Sequence, residues 1–277
     1  MDRKSAEELQ EHMFRTYFGL RIGLAVIGIA LPLVVLIAGG ALHHVWFESS
    51  ISAYYHTLPR IQVFTTRDLF VGGLLAAGAC LYLYKGFSDK ENIALNLAGV
   101  FVVFVALLPT AATPDDHGVI SVLHGTAAVL FFTCIAYVSI FRSQDTLPLL
   151  PFELRGRYAR AYFWTGLAMI LSPLVAVIFS YTLEPTSPFR TVIFWVETLG
   201  VWTFAAYWLI KTSEMRQTQA ERRALDAELR RDVVPIAQDD KAFEVADVRK
   251  MRRVFRNVAP ESRTVERIVP ADSNYGP

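Results

Sequence analysis

The run YFGLRIGLAVIGIALPLVVLIAGGA, residues 17–41, decides the fold class. It follows the charged lead MDRKSAEELQEHMFR and lacks a small-residue cleavage pattern, so it reads as an uncleaved membrane anchor. A helix needs roughly 20 predominantly apolar residues to cross the hydrocarbon core. Working outward from this run, six segments meet that requirement, at about 17–40, 68–85, 92–111, 118–141, 159–181 and 191–211. Each must be helical, because backbone facing lipid has to satisfy its own hydrogen bonds, and no alternating ten-residue strands suggest a barrel.

Composition agrees with this reading. The chain has 277 residues, 53% of them hydrophobic and 19% charged, which points to apolar spans segregated from polar ends. A net charge of +1 is too close to neutral to argue for nucleic acid as a partner, and none is expected. Cys80 and Cys134 both fall within apolar runs, so they read as small buried hydrophobes and supply no disulfide framework.

Basic residues set the orientation. Arg3, Lys4, Arg15, Lys85, Lys90, Arg142, Arg155, Arg157, Arg160 and Lys211 flank the spans on one side, with Arg60, Arg67 and Arg190 on the other. The positive-inside rule then puts both termini in the cytoplasm. The expected architecture is an all-α polytopic membrane protein: a cytoplasmic segment 1–16, a six-helix domain 17–211 and a charged cytoplasmic tail 212–277. Small residues around Gly73 and Ala77 offer a flat face for close helix approach, and Pro32 and Pro173 predict kinks. In the tail, residues 243–258 form a basic amphipathic pattern that suits an anionic lipid surface or a docking partner.

Ionisable residues inside spans are costly and raise functional questions. His124 and Glu197 each fall about two helical turns in from the outer ends of their spans. Asp68 and His117 open the second and fourth spans at the same face, and the polar stretch SSISAYYHTLPRIQVFTTRDLF, residues 49–70, lies above them. If that stretch is helical, Ser52 and His56 stand four residues apart on one side. His117 and His124 are seven residues apart, or about 10 Å along a helix axis, too far to grip one zinc ion whose nitrogen ligands sit at about 2.0–2.1 Å. His117 is then a residue of the outer mouth. His56, Asp68 and His124 make a candidate zinc site, with Ser52 and Glu197 as proton-transfer groups. Each also has a structural reading. Asp68 after TTR fits a helix cap, Glu197 fits a hydrogen bond to a neighbouring helix, and His56 fits a solvated loop residue.

The segments SISAYYHT (50–57), RDLFVGGLLAAGACLYLYKGF (67–87), NLAGVFVVFVALLPT (96–110) and FWVETLGVWTFAAYWLIK (194–211) resemble an uncharacterised family of bacterial multi-span membrane proteins. That likeness covers roughly residues 20–212 and implies a bacterial cytoplasmic membrane location. A more distant likeness is to the alkaline ceramidase and progestin/adipoQ receptor superfamily of membrane hydrolases. Its motif of Ser-x-x-x-His followed by an Asp on the next helix is matched by Ser52, His56 and Asp68; its late His-x-x-x-His pair has no counterpart here. This resemblance implies a zinc-dependent hydrolase acting on a lipid-like substrate at the external face. Two other classes stay open: a proton-coupled transporter in which Asp68, His124 and Glu197 titrate, and a non-enzymatic accessory subunit that binds a protein partner through its tail.

Overall fold

In a computed structural model the protein is described over residues 3–56, 65–110, 118–183, 189 and 191–218. The chain divides into two units, residues 1–220 and 221–277, and the second lies outside the described residues, as does the expected amphipathic helix at 243–258. Six α-helices make up the first unit, α1 (Arg3–His43), α2 (Thr66–Leu83), α3 (Asp89–Leu107), α4 (Val119–Tyr137), α5 (Phe152–Thr182) and α6 (Thr191–Thr218). All six are long and apolar enough to cross a membrane, and no strand occurs among the described residues. This is the all-α, six-span fold that the apolar runs predict.

Local signals explain where the helices begin and end. Thr65 caps α2, its hydroxyl accepting the Asp68 amide while the Asp68 carboxylate accepts the Thr65 amide in return. Ser88 caps α3 by accepting the Glu91 amide. His44 ends α1 in the left-handed region at φ 60°, a conformation that histidine tolerates better than most residues, and the Val45 amide turns back to the Gly39 carbonyl at 3.0 Å. After Tyr137, α4 continues as a π-helical turn (Val138–Arg142) and a 3-10 segment (Ser143–Leu149). The wider turn displaces the helix's hydrogen-bond register and aims Ser139 and Ser143 inward, where both are fully buried.

Each helix packs on its neighbours in sequence, and α6 closes on α1, so the bundle is a ring. α1 and α6 run antiparallel: Arg216 lies over the Phe18 ring, and the Trp202 indole N–H donates to the Ile29 carbonyl at 3.3 Å. The end where α1 starts and α6 finishes is called proximal below, the other distal. Small residues allow the tightest contact. A Cβ on Gly78 would lie 3.0 Å from the Gly99 carbonyl oxygen, so α2 and α3 touch backbone to backbone there.

The middle of the ring is filled, not open. Leu24, Leu81, Leu95, Ile135, Met169, Phe204 and Trp208 form its proximal core, and Leu31, Val35, Ile51, Tyr54, Phe70 and Phe194 its distal core. Outward-facing residues are also apolar, among them Val26, Leu83, Ile93, Ile178 and Leu199. Helices that are hydrophobic all round, with large side chains facing out and small ones at the contacts, are those of a protein solvated by lipid.

Candidate functional site

At the distal end the segment between α1 and α2 folds back as a cap. Residues Ser52–His56 form a 3-10 helix. Tyr54, fully buried, donates its hydroxyl to the Trp46 carbonyl at 2.8 Å and packs where Gly39 leaves room at the end of α1. Glu197, partly buried on α6, accepts the Ile51 amide at 2.8 Å and the Ser52 amide, so its carboxylate holds the start of the 3-10 helix. Sequence reasoning gives Glu197 a proton-transfer role or a structural hydrogen bond, and the geometry is that of the second.

Two histidines meet the end of α3. His56 Nε2 donates to the Thr110 carbonyl at 2.7 Å, and His124 Nδ1 donates to the Leu108 carbonyl at 2.8 Å. Each ring has its second nitrogen left over from these bonds, and the two histidines reach carbonyls two residues apart at the end of α3. Glu48 also faces His56. Burial pushes the Glu48 carboxyl above the ordinary carboxylate value, with the Ser49 amide and the charge of His56 opposing the shift.

Asp68 does not join them. Its carboxylate is exposed and committed to the helix cap, accepting the Thr65 amide at 2.8 Å and the Thr65 hydroxyl at 2.9 Å. Nor do Ser52 and His56 pair. A 3-10 helix turns about 120° per residue, so positions four apart diverge, and Ser52 bonds Ser50 at 3.2 Å instead. His117 lies outside the described residues. Among the described residues no three His, Cys, Asp or Glu side chains converge to hold a metal ion. Among the described residues, then, His56, Asp68 and His124 do not gather as a three-ligand set of the kind a zinc ion needs: the two histidines reach carbonyls at the end of α3 while Asp68 stays in its cap.

The densest polar group is at the proximal end, and sequence reasoning passes over it. Arg21, Glu91, Lys211 and Glu214 are each no more than 1% exposed. Lys211 Nζ donates to Glu214 Oε2 and to Thr146 Oγ1, both at 3.0 Å, and the Tyr162 hydroxyl donates to the same Glu214 oxygen at 2.6 Å. Glu91 Oε2 accepts the Phe87 amide at 2.8 Å and feels the charges of Lys211 and Glu214. Arg21 Nη1 reaches the Tyr84 hydroxyl at 3.3 Å, and Ser143 bonds the Tyr207 hydroxyl at 3.2 Å. Lys211 Nζ also lies 5.7 Å from the centroids of the Phe87 and Tyr162 rings.

Every helix of the ring thus contributes, α2 through Tyr84 just past its end and α4 through its 3-10 extension. Two acids and two bases balance in charge. Lys211, expected at the inner flank of the sixth span, is instead inside the bundle, because α6 runs on to Thr218 against α1 and α5 and carries Glu214 with it. Two buried polar atoms here, Glu214 Oε1 and Trp208 Nε1, have no partner among the described residues. A charged Arg21 within the first apolar run is the signal that points to this group. No protein-family model, curated protein or solved structure matches the chain.

Proposed function

We propose that the protein is a proton-linked carrier of small solutes in a bacterial cytoplasmic membrane, with both termini cytoplasmic and the proximal polar group as its gate. The observation that carries this reading is the buried set Arg21, Glu91, Lys211 and Glu214, with Tyr162 bonded to Glu214 and Tyr84 to Arg21. Charges buried in a spanning bundle are expensive, and a group drawn from every helix closes the ring at one end. Any change of charge at this group alters the balance among Arg21, Glu91, Lys211 and Glu214, which α1, α3 and α6 bring together, so the group couples charge to the closure of the ring. The orientation rests on the basic residues, of which Arg15, Lys85, Lys90, Arg142, Arg155, Arg157, Arg160 and Arg216 flank the proximal end and Arg67 the distal end.

The test is proton movement in liposomes. Reconstituted protein, with a pH dye inside and a panel of organic acids, amines and monovalent cations outside, is expected to move protons with at least one solute class. Glu214→Gln is expected to abolish the dependence of that flux on pH. Liposomes carrying the protein that behave as empty ones across the whole panel would overturn the carrier reading.

A further inference from the structure

A groove of about 420 Å³ runs between α5 and α6 at the proximal rim of the bundle, outside the buried charge group. Its lining mixes polar and apolar side chains. Arg157, Tyr158, Ser213 and Gln217 supply its polar groups, apolar Leu154 stands at the rim, and Ala161 and Ile210 lie deeper along their helices. The Tyr158 and Ser213 hydroxyls bond each other at 2.9 Å, which joins the two walls and leaves further hydrogen-bonding capacity on both oxygens. None of the lining residues is acidic, and no ion pair among the described residues engages Arg157. On α5 the positions 157, 161 and 164 recur on one face, so the stripe that starts at Arg157 leads to Trp164, 63% exposed on the lipid-facing surface.

We infer that this groove binds one anionic phospholipid of the proximal leaflet. Arg157 supplies the charge for the phosphate, with Tyr158, Ser213 and Gln217 as neutral donors around it. A phosphate diester offers oxygens that accept from all four. The floor of Ala161 and Ile210 takes the glycerol backbone, and the acyl chains pass along Trp164 into the bilayer. Neighbouring chemistry fits a lipid better than a soluble anion, because the polar groups stand among apolar Leu154, Ala161 and Ile210 and the stripe beyond them leads to Trp164 on the lipid-facing surface. The site is independent of the gate reading, since none of its lining residues belongs to the group of Arg21, Glu91, Lys211 and Glu214.

The experiment uses the full chain purified in detergent, delipidated by washing and then exposed to micelles containing phosphatidylglycerol or phosphatidylcholine, with bound lipid counted by native mass spectrometry. One phosphatidylglycerol per chain is expected, in preference to phosphatidylcholine. Arg157→Gln is expected to weaken it about fivefold, the effect of one basic residue at an anionic surface. Arg160→Gln, three residues on and outside the groove, is expected to leave it unchanged. Arg157 and Arg160 are both exposed, so neither change threatens the fold. Equal retention of the two lipids, an equal loss in Arg160→Gln, or displacement by millimolar inorganic phosphate would each overturn the assignment.

Discussion

Lys211 Nζ lies 3.0 Å from Glu214 Oε2 with the two side chains 1% and 0% exposed, so the pair has exchanged water for one another and for Tyr162 and Thr146. Removing one charge strands the other, which typically costs about 3–5 kcal/mol, whereas replacing both with neutral groups of similar size is often close to neutral. Lys211→Met is therefore expected to destabilise the bundle by about 3 kcal/mol or more. Lys211→Met combined with Glu214→Gln is expected to recover most of that loss. Unfolding in mixed micelles measures both, and a double variant as unstable as the sum of the singles would show that the pair is not the unit.

Asp68 has a role that its place in a hydrolase-like motif obscures. Its contacts are all within the cap of α2, and its carboxylate is exposed. Asp68→Ala is expected to cost about 1 kcal/mol, the usual effect of losing a cap, with no change in the metal content of the purified protein. Elemental analysis of wild type and variant decides this. Zinc that is present in the wild type and lost in the variant would restore Asp68 as a ligand.

The six spans are legible because length and apolarity alone specify them; each apolar run falls on one helix, though α1, α5 and α6 extend well past their runs at the proximal end. The cap at Asp68 is legible too, since Thr-x-x-Asp before an apolar run is a local pattern. Lys211 and Glu214 are not. A lysine and a glutamate three apart at the start of a charged helical stretch look like a solvated surface pair, and only the closure of α6 on α1 and α5 buries them. Ser52 and His56 mislead in the opposite way. Their spacing of four implies contact in an α-helix, but the segment winds as a 3-10 helix with a different period. Arg21 is the residue where sequence reasoning had a signal and did not use it.

Gly78 marks the place where α2 and α3 cannot be forced apart cheaply. A Cβ there would meet Val103 Cγ2 at 2.8 Å as well as the Gly99 carbonyl oxygen at 3.0 Å, and one of these is rigid backbone. Gly78→Leu is expected to cost about 1–3 kcal/mol by overpacking, and Gly72→Leu, with nothing within 4 Å of its Cβ position, far less. Equal stability of the two variants in the same unfolding assay would contradict the backbone contact.

The distal cap should respond to pH through Glu48. Burial raises its carboxyl above the ordinary value of 4.5, so the folded cap prefers the protonated form more than the unfolded segment does. Its contribution is then fully present below pH 4.5 and is lost as pH rises through the higher folded value. The Tyr54 hydroxyl contacts both the Glu48 amide at 3.4 Å and the Trp46 carbonyl at 2.8 Å, so loosening at Glu48 reaches the anchor of the whole segment. Hydrogen exchange of the Val45 and Tyr54 amides, corrected for the intrinsic effect of pH, is expected to show protection falling from acid toward neutral pH. Glu48→Gln is expected to hold that protection level across the same window. A wild-type cap whose corrected protection stays flat, or rises with pH, would mean that Glu48 is solvated and that its burial contributes nothing to the closure of the distal end.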